Sequence, residues 1–228
     1  MSNFDSDGGS ENQWEDRGDL AWNEFDWERY LREQDEAVQR YLTFYAECKG
    51  RSDRIDQVAE KMHWGDGDWS DDSDHETDVD DENDDDGVGS EEDEVYTLHK
   101  NPIFIATKAI YVSLNQSWQT LAADPAFVPQ SSALAVLTSL HRGEEHSVQA
   151  IHALDFGDYA MAVSLFKRAL SALNGTLALL ADESLPKHKL LVAWRQDAVP
   201  SLFDLREIWL RVMSECREEL ERPMDDEN

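Results

Sequence analysis

Between Gly65 and Glu94 the chain carries 17 acidic residues and no lysine or arginine. Its only large apolar side chains there are Trp69, Val79 and Val88. Ordering such a stretch costs roughly 30 to 60 kcal/mol of backbone entropy. Three buried apolar side chains return about 5 to 9 kcal/mol. Repulsion among the carboxylates widens the deficit, so residues 65–94 read as a disordered, extended linker. Any hydrophobic core must be built from the flanking segments.

The charge is unevenly spread. Of the 228 residues, 50 are acidic and 20 basic, for a formal net charge of −30. Residues 97–217 hold 11 acids and 11 bases, so the longest segment is electroneutral and the excess lies outside it. A pI near 4.3 opposes direct binding to nucleic acid. Two cysteines, Cys48 and Cys216, make no disulfide framework and no CxxC pair. The first sixteen residues contain no lysine, arginine or apolar run, which predicts no secretory or mitochondrial leader. No stretch is long and apolar enough to span a bilayer, and a cytoplasmic location is expected.

Helical periodicity dominates the electroneutral segment. Asn101-Pro102 supplies an N-cap and a first-turn proline ahead of Ile103, Ile110, Leu114, Trp118 and Leu121. A second apolar run opens after Pro129 through Leu134, Leu137 and Leu140; Gly143 is expected to break it before Val148, Ile151 and Leu154. If that helix instead ran on, Glu144 would fall within its apolar arc and be buried with a raised pKa. Asp158 is placed to cap a third helix whose face includes Ala162, Leu165, Phe166, Ala169 and Leu173. A fourth stretch, Leu190 to Val199, meets Pro200 as a kink or a break, after which Ser201 and Asp204 form a capping-box pattern. Ahead of the linker, Asn23 and Asp26 can start a helix with a 4-3-4-3 seam of Trp27, Leu31, Gln34, Val38, Tyr41, Tyr45 and Cys48. A shorter amphipathic turn, Ile55, Val58, Ala59 and Met62, follows it.

No β alternation competes, so the expected fold is all-α: an antiparallel bundle of four to six helices, with a disordered acidic linker after an N-terminal helix. The expected organisation is a disordered acidic start (1–22), an N-terminal helix with a short second helix (23–64), the linker (65–94), the bundle (95–221) and a disordered tail (222–228). Gly157-Asp158-Tyr159 followed by Ala162, Phe166 and Ala169 resembles the second helix of a tetratricopeptide repeat, over about thirty residues. The first-helix positions of that family fall on His146, Gln149, Ala150 and Ala153, and its closing proline on Asn174. The resemblance implies a helical hairpin, with small residues at 150, 162 and 169 allowing close approach.

Candidate chemistry is sparse. Glu82, Asp84, Asp86 and Gly87 match the opening of a calcium loop, but position 12 is Asp93 and no helix pattern flanks it. Glu60 and His63 give a single Glu-x-x-His where a di-metal bundle needs two. His141, Glu145 and His152 share a helix face if the helix is unbroken. No phosphate loop, dinucleotide fingerprint or nucleophile elbow is present, so no catalytic, cofactor-binding or metal residue is assigned. Aromatic residues set among acids are the more distinctive feature. Trp14, Trp22, Trp27, Trp64 and Trp69 are candidate partner-binding residues, since a ring can bury on a partner while neighbouring carboxylates steer a basic surface. The expected function is a non-enzymatic, adaptor-like protein–protein interaction, with the N-terminal helix docked on its own bundle or on a second copy in a homodimer. The alternative is an acidic chaperone or polyanion mimic that shields a basic nucleic-acid-binding partner.

Overall fold

A computed structural model describes residues 23–65 and 101–222. Among them the fold is all-helical, with six helices and no strand. These are α1 (Glu24–Glu47), α2 (Arg54–Lys61), α3 (Pro102–Ala122), α4 (Gln130–Asp155), α5 (Tyr159–Ala181) and α6 (Lys189–Glu221). The acidic stretch and both chain ends lie outside the described residues.

The core is organised around α3. From Ile103 to Thr107, and again from Ala109 to Tyr111, every residue is buried. A helix apolar on all sides must be surrounded, and α3 packs against α1, α4 and α6. Its start is set locally, with Asn101 Oδ1 accepting from Phe104 N at 3.0 Å and Pro102 in the first turn. Asn101 Nδ2 also donates to Asp155 Oδ1 at 3.4 Å, which ties the start of α3 to the end of α4.

α4 and α5 form the closest pair in the fold. Ala150, Ala162 and Ala169 have no exposed surface, as the small-residue spacing requires of a tight hairpin. Ser139 Oγ donates to the Ala172 carbonyl at 3.0 Å, and Thr176 Oγ1 donates to Ser139 Oγ at 2.9 Å, which fixes the register. The turn places Gly157 at φ +70°, and Asp158 Oδ1 accepts from Met161 N at 2.9 Å to start α5.

The break expected at Gly143 is absent, and of the kink or break expected at Pro200 the break is absent too. α4 runs through Gly143 without interruption, because the missing side chain is needed by a neighbour: a Cβ at 143 would lie 2.3 Å from the Tyr111 hydroxyl. Glu144 consequently stays on the helix. It is partly buried against α3, accepting from Lys108 Nζ at 2.8 Å and Asn115 Nδ2 at 2.9 Å. α6 likewise continues through Pro200. Leu191 and Ala198 before the proline and Leu202, Leu205 and Trp209 after it bury on the same core, and that packing outweighs the ~3 kcal/mol an interior proline costs. Ser201 and Asp204 are therefore mid-helix residues and cap nothing.

The N-terminal pair docks on the same chain. α1 begins with a complete capping box, in which Asn23 Oδ1 accepts from Phe25 N and Asp26 N while Asp26 Oδ2 accepts from Asn23 N. Only its second half belongs to the core: Ala37, Val38, Tyr41 and Tyr45 are buried and pack toward α3, with Cys48 closing the run. α2 adds Ile55, Val58 and Ala59, and it touches both α1 and α6. Arg211 on α6 forms an ion pair with Asp56 on α2.

Candidate interaction sites

The five tryptophans singled out in the sequence separate in the structure. Trp14, Trp22 and Trp69 lie outside the described residues. Trp64 is half-buried and stacks on Tyr41, with ring centroids 5.8 Å apart and planes 24° from parallel, so it extends the core. Trp27 lies 51% exposed in the first turns of α1, its ring edge-on to Tyr30 at 5.8 Å. Some 21 Å of helix separates Trp27 from Tyr41 at 1.5 Å per residue, so the two described tryptophans serve different places.

Trp27 has apolar company. Leu31, the next position of the seam, is 49% exposed while the seam is buried from Val38 onward; Phe25, 75% exposed, stands in the same first turn on another face. Around this stripe, residues 24–36 hold six acids and two bases. Both bases pair within the helix, Arg29 with Asp26 and Arg32 with Glu28, each at 2.8 Å. Glu24, Glu33, Asp35 and Glu36 remain as the net charge of this arm.

At the other end of α1 a polar clamp joins three elements. Tyr45 Oη donates to Asp204 Oδ2 at 2.6 Å. The Arg54 guanidinium lies 3.2 Å over the Tyr45 ring centroid; its Nε donates to the Tyr45 carbonyl at 3.0 Å and its NH1 reaches Asp204 at 3.4 Å. Burial raises the pKa of both the Tyr45 phenol and the Asp204 carboxyl, and for Asp204 it outweighs the bonds from Tyr45 and Arg54. Beside the clamp is a cleft of about 660 Å3 between α1, α3 and α6, walled by Leu42, Leu114 and Trp194. Its charged groups are all engaged: Lys49 with Asp197 at 2.8 Å, Arg54 with Asp204, and Arg51 with Gln57. The cleft is thus a self-satisfied junction that holds α1 and α2 to α6.

Replacing Asp204 with asparagine is expected to lower stability at neutral pH by about 1 kcal/mol, because the charged bond from Arg54 is lost while an acceptor for Tyr45 remains. The loss has a pH signature. A carboxyl whose pKa is raised on folding contributes stability that is fully present below the ordinary aspartate pKa and is lost as pH rises through the folded value. Asparagine lacks that term, so the deficit of D204N in urea unfolding should shrink as pH rises from that of a free aspartate through the raised value. A deficit that grows with pH would mean that the bonds from Tyr45 and Arg54 outweigh burial at Asp204, and would contradict the raised value.

The other candidate groups are dispersed. His141, Glu145 and His152 are exposed on α4. Glu60 lies in the last turn of α2, and His63 beyond that helix has φ 61°. The calcium-like segment lies outside the described residues, and among those described no group of three or more His, Cys, Asp or Glu side chains converges as a metal site. Cys48 and Cys216 are buried free thiols, and burial pushes Cys216 up to about 11, away from thiolate chemistry at neutral pH. No described helix is long and apolar enough to cross a membrane. Comparison with known proteins finds no matching family model, curated protein or solved structure. The class that the fold defines is therefore an all-helical protein with a half-covered N-terminal helix.

Proposed function

We propose that this chain is a non-enzymatic interaction protein that engages a partner protein through the first three turns of α1. The supporting observation is the change along a single seam: Val38, Tyr41 and Tyr45 are buried on α3, whereas Trp27 and Leu31, earlier on the same line, are about half exposed, and Phe25 is exposed in the same first turn. A capping box starts those turns, and the Arg29–Asp26 and Arg32–Glu28 pairs run along them. The partner has an apolar slot for Trp27 and a basic rim, because residues 24–36 hold six acids against two bases and both bases pair within the helix. A second copy of this chain suits the arm poorly, since two such stripes would bring like charges together.

The test is affinity capture from the native cell with the intact chain and with F25A/W27A/L31A. The variant should lose the captured protein, with W27A alone weakening its binding by at least about 30-fold, and should keep its thermal midpoint because these side chains stabilise no core. Binding should also weaken with salt. The polyanion-mimic alternative expects the opposite pattern, in which the triple variant still binds and replacing residues 65–94 with Gly/Ser abolishes capture. A fall of several degrees in the midpoint of the triple variant would place the stripe inside the fold and overturn the reading.

A further inference from the structure

Arg142 on α4 and Arg168 on α5 line one open groove of about 650 Å3 on the outer face of the α4–α5 hairpin. The side chains of Ser131, Thr138, Ser171 and His146 line it with them, and no carboxylate does, in a chain whose acids outnumber its bases 50 to 20. The hairpin register explains the meeting. Ser139 is held against Ala172 and Thr176, so about one turn further along α4 Arg142 comes opposite Arg168 and Ser171.

These cations differ from those of the α1–α3–α6 cleft. Among the described residues, the arginines in ion pairs are Arg29, Arg32, Arg54, Arg211 and Arg222, and neither Arg142 nor Arg168 is one of them. His146 Nδ1 is buried with no hydrogen-bond partner among the described residues. Two arginines from neighbouring helices that line one groove, neither of them in an ion pair among the described residues, are stabilised by an anion between them. Ala135, Ala172 and Gly175 keep the rest of the floor low and mostly apolar, and exposed Leu134 stands at its far end.

We propose that this groove binds a small phosphate monoester, with the phosphate between Arg142 and Arg168 and the organic part along Ala135 and Ala172. A planar carboxylate saturates one guanidinium fork. A tetrahedral phosphate offers three oxygens, enough to engage two facing forks and the Ser171 hydroxyl together. The inference is independent of the α1 arm, which lies on a different helix.

The experiment is a titration of the full chain, followed by amide NMR shifts and calorimetry, with phenyl phosphate, inorganic phosphate, benzoate and a phosphoserine peptide as probes. Phenyl phosphate should saturate, shift amides only around residues 131–146 and 168–175, and bind about tenfold more tightly than inorganic phosphate or benzoate. R142Q and R168Q should each weaken it about tenfold or more with the thermal midpoint unchanged, and R142K should recover part of the loss, since lysine keeps the charge without the fork. Failure of phenyl phosphate to saturate, undiminished binding in the R142Q/R168Q double variant, or shifts spread equally to Lys187 and Lys189 would overturn the proposal. Tighter binding of the phosphoserine peptide than of phenyl phosphate would overturn the small-molecule assignment.

Discussion

Trp209→Ala should lower the stability of the fold by about 3 to 5 kcal/mol, the largest effect expected of any single substitution here. Trp209 has no exposed surface. Its ring stacks on Tyr111 at 6.1 Å and tilts against Phe166 at 6.2 Å, so it joins α6 to both α3 and α5. Its Nε1 donates to Thr107 Oγ1 at 3.2 Å, and Thr107 is itself fully buried on α3. Alanine would leave a cavity where three helices meet and take away the partner of a buried hydroxyl. Trp209→Phe keeps most of the volume and loses only the donor, so it should cost less by about 2 kcal/mol or more. Urea unfolding monitored by far-ultraviolet circular dichroism measures both. A shift in midpoint at constant m-value is expected, and a W209A loss below about 1 kcal/mol would mean that this junction is not where the core is closed.

Gly143→Ala comes second, and its sign is informative. On an exposed helix the change stabilises by about 1 kcal/mol, because glycine is the poorer helix former. Here the new methyl would meet the Tyr111 hydroxyl at 2.3 Å and its Cζ at 3.3 Å. The ring cannot swing aside, since Tyr111 is buried and stacked on Trp209. Overpacking of this kind costs 1 to 3 kcal/mol and more when the neighbour is held, so a net loss of about 2 kcal/mol is expected. In a Tyr111→Phe background the oxygen is gone and the same glycine change should become neutral or stabilising. That reversal, read from a double-mutant cycle, ties the effect to the contact between α3 and α4; equal losses in both backgrounds would assign it to the helix backbone alone.

Gly143 also shows where sequence reasoning stopped. Local signals for helix starts were legible: Asn23 with Asp26, Asn101 with Pro102, and Asp158 all begin helices as their chemistry requires. So were the small residues of the α4–α5 hairpin, which act between neighbours in sequence. Gly143 read as a break and Pro200 as a kink or a break because intrinsic propensity is the only information a short window carries. In the fold, the first makes room for a residue of α3, and the second is flanked by apolar turns on one buried face. Asp204 read as a helix cap, yet it accepts from Tyr45, 159 positions away, and no local pattern announces a pairing that distant. The seam of α1 was visible along its whole length. The point at which it leaves the body was not, because periodicity is the same whether a stripe is covered or bare. The α4–α5 groove was missed for a related reason: Arg142 and Arg168 meet only through the hairpin register. A segment-by-segment count of acids against the scarcity of carboxylates on α5 could have pointed to it.

The division of α1 into a docked half and a bare half is tested most directly by residue-resolved hydrogen exchange on the full chain, free of partner. Protection should be highest in α3 and around Leu202–Cys216, should continue through Tyr41 and Tyr45, and should fall sharply on passing from Ala37 toward Glu24. Amides around Trp27 and Leu31 exchanging as slowly as those around Tyr41 would contradict it, since they would then be covered by the fold itself and no surface would be left for a partner.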